Sequence, residues 1–343
     1  MSTRRRRRPN GRFWALLTVV VLIVAAIITL THHHRHPAAR PHQPVSKPPS
    51  FALSHWTQAP ITLSQPIAGF ATASTSHSIW LLGGLVNGQS TTLVQELTWT
   101  PSGQLKPVQA ITPGLPVALH DAAAVALPGR LILLGGGSYA SSSSVFRLPL
   151  PHLSPATSLP PLPIPLSDSA AVTDHSKILV IGGHNLGAPS NTIWSYTPGK
   201  PVTVWGHLPI GVRYPAVTRG GNTLYVIGGL SESGTSNQAV AYNLSTGKMI
   251  KLPAYPVSVQ HAQATIIANH LVVAGGETDA GWIPAVFWYD AGKKAWKAGP
   301  SLPEPGGYGA FLTLPSGAGI WLGGQSPSGA MDAVWTIKAV SKR

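Results

Sequence analysis

The chain has no cysteine, three methionines and only ten carboxylates in 343 residues. Without cysteine there is no disulfide scaffold, no zinc site built on thiolates and no thiol nucleophile. Charged residues are 10% of the chain, against roughly 25% in an average soluble protein. Helix-favouring composition is also missing. Glycine (36) and proline (33) make up about a fifth of the residues, which suits short strands and tight turns and suits long helices badly. A wholly disordered chain is excluded by eleven tryptophans and an apolar fraction of 43%.

The net charge of +14 is unevenly placed. Residues 1–50 hold nine basic side chains (Arg4 to Arg8, Arg12, Arg35, Arg40 and Lys47) and no acid, which leaves 15 basic against 10 acidic residues in the rest. The densest charge borders an uncharged run, residues 13–31, FWALLTVVVLIVAAIITLT. At 1.5 Å per residue this run would span about 28 Å as a helix, close to the hydrocarbon thickness of a bilayer. Six arginines before it hold the N-terminus in the cytoplasm by the positive-inside rule. Residues 1–12 therefore read as a basic cytoplasmic tail and 13–31 as a transmembrane signal-anchor. The chain beyond is expected outside a cell membrane, as in a bacterial surface protein. Cleavage after Val24 and Ala26 is the alternative, but Ile27, Ile28 and Leu30 continue the apolar run past that point. The charge is accounted for by the membrane, so no nucleic-acid partner is expected.

Residues 32–50 are rich in histidine and proline. Prolines 37, 41, 44, 48 and 49 favour an extended spacer. Adjacent histidines on such a chain offer no preorganised metal geometry.

From residue 51 onward one pattern repeats. A short apolar run ends in Gly-Gly at residues 83–84, 135–136, 182–183, 228–229, 275–276 and 323–324, and the second glycines lie 52, 47, 46, 47 and 48 residues apart. Two strand-like runs precede each diglycine. In the fourth copy they are YPAVTR and TLYVIGG around Gly220, Gly221 and Asn222. The first run is rich in small residues, as suits an innermost strand near a crowded axis. The second is the Val/Ile/Leu type of a strand covered on both faces. A polar loop follows, then a run carrying an aromatic (Trp99, Phe146, Tyr196, Tyr242, Tyr289, Trp335), then in several copies a run ending near Leu-Pro. Four strands per 46–52 residues, six times over, describe a six-bladed β-propeller. The sixth copy lacks its fourth run, and residues 53–63 resemble one. The expected closure is therefore an N-terminal strand completing the last blade.

The fifth copy, with Gly275, Gly276, Tyr289, Trp296, Leu302 and Pro303, resembles the kelch repeat. The resemblance covers about residues 51–340, strongly in the diglycines and loosely elsewhere. Tyr242 has no tryptophan partner, for example. The fold expected is an all-β, kelch-type six-bladed propeller over 51–343, preceded by one transmembrane helix. The diglycines and aromatics are read as structural. Gly135, Gly136 and Gly137 have no following Lys-Ser/Thr and make no phosphate loop.

Propellers act at a mouth of the central channel. Fourteen residues before the first glycine of each pair stand Gly69, Asp121, Asp168, Tyr214, His261 and Gly309, and one position earlier stand His120, Arg213, Gln260 and Tyr308 among others. Loops after the diglycines, expected on the same face, add His184, Asn185, Glu232, Glu277, Asp279, Trp282 and Gln325. The candidate ligand-binding set is His120, Asp121, Asp168, His184, Arg213, Tyr214, Glu232, His261, Glu277, Trp282 and Tyr308, with no metal and no cofactor expected. A metal on His120, His184 and His261 would require three blades to converge on one point.

Two functions follow from the resemblance. One is a membrane-anchored module binding a protein or glycan. The other is a sugar-active enzyme of the sialic-acid mutarotase type, for which Arg213 with Glu232 or Glu277 would be the acid–base pair. Copper-radical chemistry of the galactose-oxidase type needs a cysteine and is excluded. No Gly-x-Ser-x-Gly elbow is present.

The shortage of carboxylates carries a prediction. Acid unfolding largely reflects protonation of carboxylates paired in the native state, so the ectodomain should keep its far-ultraviolet circular dichroism well into acid. Half-loss of the signal near pH 4 would contradict this.

Overall fold

The computed structural model describes residues 50–185 and 187–342. The basic tail, the apolar run and the histidine-rich spacer lie outside the described residues. Among the described residues no helix is long and apolar enough to cross a membrane.

Six four-stranded antiparallel sheets follow one another along the chain. From the axis outward, blade 1 is Ala71–Ser74, Ser78–Leu82, Val94–Thr98 and Gln109–Ala110. Blade 2 is His120–Leu127, Arg130–Gly137, Val145–Pro149 and Thr157–Leu159. Blade 3 is Ala170–Asp174, Lys177–Ile181, Thr192–Tyr196 and Thr203–His207. Blade 4 is Ala216–Gly220, Thr223–Ile227, Ala239–Asn243 and Met249–Lys251. Blade 5 is Gln263–Ile267, His270–Ala274, Val286–Asp290 and Ala295–Ala298. Blade 6 is Ala310–Thr313, Gly319–Ser326 and Gly329–Ile337, completed by the N-terminal strand Thr57–Thr62, which pairs antiparallel with Gly329–Ile337. The expected closure is therefore present.

The strand types follow their surroundings. The innermost strands line a central channel of about 360 Å³, and alanines such as Ala71, Ala73, Ala122, Ala124 and Ala170 let them approach the axis. The second strands are covered on both faces: Leu131, Ile132, Leu133 and Leu134 are all fully buried. The apolar core is divided into six clusters, each joining two neighbouring blades and the last joining blade 6 to blade 1.

The repeated aromatics serve these seams. The Tyr196 phenol donates to Pro160 O (2.9 Å) and the Tyr242 phenol to His207 O (2.7 Å). The Trp296 indole donates to Pro253 O (2.9 Å) and the Trp56 indole to Pro300 O (3.0 Å). Each reaches the end of the preceding blade's outer segment, so the ring bonds across the seam where a polar tip on an apolar plate is most useful. This explains the recurrence of proline-terminated segments beside aromatics.

One element lay beyond the repeat pattern. Ser50–Leu53 pairs antiparallel with Ala339–Lys342 as a separate two-stranded ribbon. Phe51 stacks on His270 (centroids 3.8 Å, planes 14° apart) and meets Trp288 edge-on. His270 follows the turn between the two inner strands of blade 5, so the ribbon sits on the face opposite the diglycines.

Deleting residues 51–63 removes the ribbon, the outer strand of blade 6 and the Trp56 bond together. The expected result is a melting temperature lower by about 10 °C or more. An unchanged melting curve would refute the closure as a stabilising element.

Candidate functional site

The register picked out by the diglycines is a backbone device. Gly69, Asp121, Asp168, Tyr214, His261 and Tyr308 stand one per blade at the start of the inner strand, and all six are left-handed, with φ between 53° and 61°. For blade 6 the position is Tyr308, one residue before the Gly309 that counting indicated, because the backbone between Tyr308 and Gly323 is one residue longer. Each N–H donates to the carbonyl of its counterpart in the preceding blade. Asp121 N bonds Gly69 O, Asp168 N bonds Asp121 O, Tyr214 N bonds Asp168 O, His261 N bonds Tyr214 O, and Tyr308 N bonds His261 O. Gly69 N to Tyr308 O (2.9 Å) closes the circle.

Side chains from this ring meet at the axis. The phenols of Tyr308 in blade 6 and Tyr214 in blade 4 both donate to the Asp121 carboxylate of blade 2, the latter at 3.4 Å. Side chains from alternate blades can share a partner only across the channel, so this cluster floors the mouth. Tyr308 reaches over blade 1 because Gly69 leaves the room: a Cβ there would lie 2.7 Å from the phenol ring. Arg213 pairs through Nε with Asp168 Oδ2 at 2.7 Å, donates from Nη2 to the Tyr214 hydroxyl, and lies over the Tyr214 ring. The Nε–H is not aimed along the line to Asp168, so this contact is an ion pair without an aligned hydrogen bond. His261 packs on Tyr214 (3.9 Å between centroids) and on Tyr308 (4.4 Å), and Trp282 extends this aromatic surface outward from His261 at 5.7 Å.

The loops after the diglycines stand on the same face, as expected. Leu85–Val86 with Gln89–Ser90, His184–Asn185 with Ala188–Pro189, Leu230–Ser231 with Gly234–Thr235, and Glu277–Thr278 with Gly281–Trp282 are small hairpins. They bridge the ring segments at Ala68–Leu85, Ser167–His184, Arg213–Leu230 and Gln260–Glu277.

The expected residues therefore divide. His120, Asp121, Asp168, Arg213, Tyr214, His261, Glu277, Trp282 and Tyr308 form one connected group. His184 joins only through its backbone, and Glu232 is exposed at a hairpin tip. The expected pairing of Arg213 with Glu232 or Glu277 is corrected. Arg213 is held by Asp168, while Glu277 receives Gln260 Nε2 (3.0 Å) and faces His261 Nδ1 (3.3 Å). Arg213 and Glu277 start from neighbouring blades, and each side chain takes the nearer partner on its own side. Among the described residues no group of three or more His, Asp or Glu is placed to hold a metal ion. Ser90, whose hydroxyl bonds His120 Nδ1 at 2.9 Å, went unnoticed in the sequence because nothing in the repeat register marks it.

Burial dominates the electrostatics. It pushes the Asp121 carboxyl well above the usual carboxylate range, reinforced by the neighbouring Asp168, while the Tyr308 phenol pulls the other way. Burial also raises Tyr214 and Tyr308 and lowers His120 and His261. The close approach of His261 Nδ1 lowers Glu277. A lowered histidine beside a lowered carboxylate fits a neutral imidazole whose Nδ1 faces Glu277 without an aligned hydrogen bond. The consequences for stability oppose each other. Glu277 contributes stability above its unfolded pKa and loses it as pH falls through its folded value. Asp121 costs stability once ionised, and that cost vanishes as pH falls.

Residues 165–200, which hold most of blade 3, match the kelch motif. The chain is a kelch-type six-bladed β-propeller. It is 28% identical over 148 residues to the Kelch-like protein terF of Aspergillus terreus (strain NIH 2624 / FGSC A1156), covering 37% of this chain and 31% of that protein. The match thus spans about a third of the relative's length. Among solved structures, that of YjhT superposes with a TM-score of 0.69 at 17% identity, over 84% of this chain and 99% of that one. This likeness is one of fold.

The kelch ring makes one glycine a sensitive point. Gly69→Ala combines a left-handed φ of 61° with a collision against Tyr308. Denaturant unfolding should show a loss of about 2 kcal/mol or more. A loss under about 0.5 kcal/mol would mean that Tyr308 does not lean across blade 1.

Proposed function

We propose that the protein is a ligand-binding kelch propeller, held at the outer face of a cell membrane by residues 13–31, that takes a neutral glycan at the mouth on the diglycine side. The observation that carries the reading is the two-sided mouth. Tyr214, His261, Tyr308 and Trp282 make a continuous aromatic surface on blades 4 to 6. Asp121, Asp168, Arg213 and His120 supply charged and polar groups on blades 2 to 4. A pyranose has an apolar face and a polar rim, and a pocket with aromatic area and few oriented polar groups suits it.

The charge balance supports a neutral sugar. The one guanidinium among these groups, Arg213, is already paired with Asp168, and the Glu277 carboxylate stands on the neighbouring blade. An anionic sugar would meet like charge at close range. The mutarotase-type alternative asks for an uncommitted arginine facing a glutamate, and these side chains hold other partners.

Titration of the purified chain with neutral and acidic saccharides tests the proposal. A neutral saccharide should quench tryptophan fluorescence saturably, acidic ones should bind at least tenfold more weakly, and Trp282→Ala should weaken binding tenfold or more. A preference for sialic acid would overturn the neutral-glycan reading. Silence with every sugar, together with a captured protein ligand lost on Trp282→Ala, would replace it with the protein-binding one.

A further inference from the structure

Beside the floor of the mouth stands a chain of three side chains, of which the binding reading uses two, and only as polar groups. Ser90 ends the hairpin of blade 1, and its Oγ lies 2.9 Å from His120 Nδ1. His120 begins the inner strand of blade 2, and its Nε2 lies 3.5 Å from Asp121 Oδ2. The Asp121 side chain is 7% exposed, the imidazole 23%, and Ser90 is half-buried at the edge of the mouth. A hydroxyl, an imidazole and a buried carboxylate in that order are the parts of an activated serine. Such arrangements are recognised by geometry and role, with no fixed place in a sequence. We infer that Ser90, His120 and Asp121 form an acyl-transfer site that hydrolyses short O-acyl esters.

The orientation suits the chemistry. When the Ser90 hydroxyl donates to Nδ1, the imidazole proton sits on Nε2, facing Asp121. Burial favours the neutral imidazole that a general base must be. The contact of 3.5 Å is longer than a hydrogen bond, as is common before a substrate displaces water. Thr91 N donates to Gly84 O across the hairpin. Ser90 and Leu85 are therefore a pair without mutual backbone bonds, and the Ser90 N–H faces away from its hairpin partner, beside its own Oγ. A donor in that position can face the oxygen that gains charge as the acyl carbon becomes tetrahedral.

The reaction balances within these groups. Ser90 Oγ attacks the acyl carbon and its proton passes to His120 Nδ1, with the imidazolium facing Asp121. The ester C–O bond breaks and the alcohol leaves with that proton. Water then attacks the acyl-serine and gives a proton to Nδ1. The acid departs as the proton returns to Ser90 Oγ. The alcohol is a sugar hydroxyl if the mouth holds a glycan, and this identity alone rests on the proposed function.

A fluorophosphonate probe and p-nitrophenyl acetate, used on the intact chain, test the site without any sugar. Peptide mass spectrometry should place the phosphonyl adduct on Ser90. Ser90→Ala should abolish both the adduct and the hydrolysis, and His120→Gln should slow both by a hundredfold or more. Ser90→Ala should retain the melting curve and the saccharide titration of the parent chain, which separates loss of chemistry from loss of fold or of binding. No adduct on Ser90 in folded protein, or hydrolysis unchanged in Ser90→Ala, would overturn the inference and leave glycan binding standing. Hydrolysis confirmed without any saccharide binding would leave the serine site standing and remove only the sugar as its alcohol.

Discussion

The fold depends on backbone hydrogen bonds that run between blades and close on themselves. In one circle the left-handed residue at the head of each inner strand donates to its counterpart in the preceding blade. In a second circle the second glycine of each pair donates in the opposite sense: Gly84 to Leu119 O, Gly136 to Leu166 O, Gly183 to Val212 O, Gly229 to Val259 O, Gly276 to Gly306 O and Gly324 to Ile67 O. The first glycine of each pair admits that approach. A Cβ on Gly182 would lie 2.5 Å from Val212 O, so any larger residue would push the neighbouring blade away. Left-handed backbone costs about 1 kcal/mol or more at each non-glycine position. The inter-blade bonds offset this because the groups they satisfy would otherwise be buried without partners.

A circle differs from a stack in having no end. Linear repeat arrays can fray from a terminal unit, whereas each blade here is bonded on both sides. The weak point is the place where the chain begins and ends. There the protein concentrates its non-repeating contacts. The strand Thr57–Thr62 fills blade 6, Trp56 bonds Pro300 O, and the Ser50–Leu53 ribbon pairs with the C-terminal segment. These contacts join residues more than 240 positions apart, so their loop-closure entropy is met only once the intervening blades are formed.

What was legible in the sequence is whatever repeats. The diglycines fixed the number of blades, the alanine-rich runs fixed the inner strands, and counting back from Gly182 or Gly275 reached Asp168 and His261 correctly. What was not legible depends on the rotation of one blade against the next. Arg213 was paired in the sequence with Glu232 or Glu277, whereas the structure gives it Asp168, and periodicity carries no information about which carboxylate lies within reach. Ser90 escaped for the same reason, since its relation to His120 exists only across the seam of blades 1 and 2. The ribbon escaped because Ser50–Leu53 and Ala339–Lys342 belong to no copy of the repeat.

A six-fold backbone would give a six-fold mouth, yet a ligand needs an asymmetric one. The ring of left-handed residues resolves this conflict. Its bonds use only main-chain atoms, so the side chains at the six positions can differ without disturbing closure. Five of them use that freedom and one does not. With hydrogen in place of a side chain at Gly69, Tyr308 crosses blade 1 to reach Asp121, and the carboxylate that results is shared by blades 2, 4 and 6. One missing side chain thereby brings an aromatic ring of blade 6 onto a carboxyl group of blade 2. The asymmetry that the proposed recognition needs thus arises in the same residue register that closes the ring, and on that reading a substitution there would act on binding and on stability together.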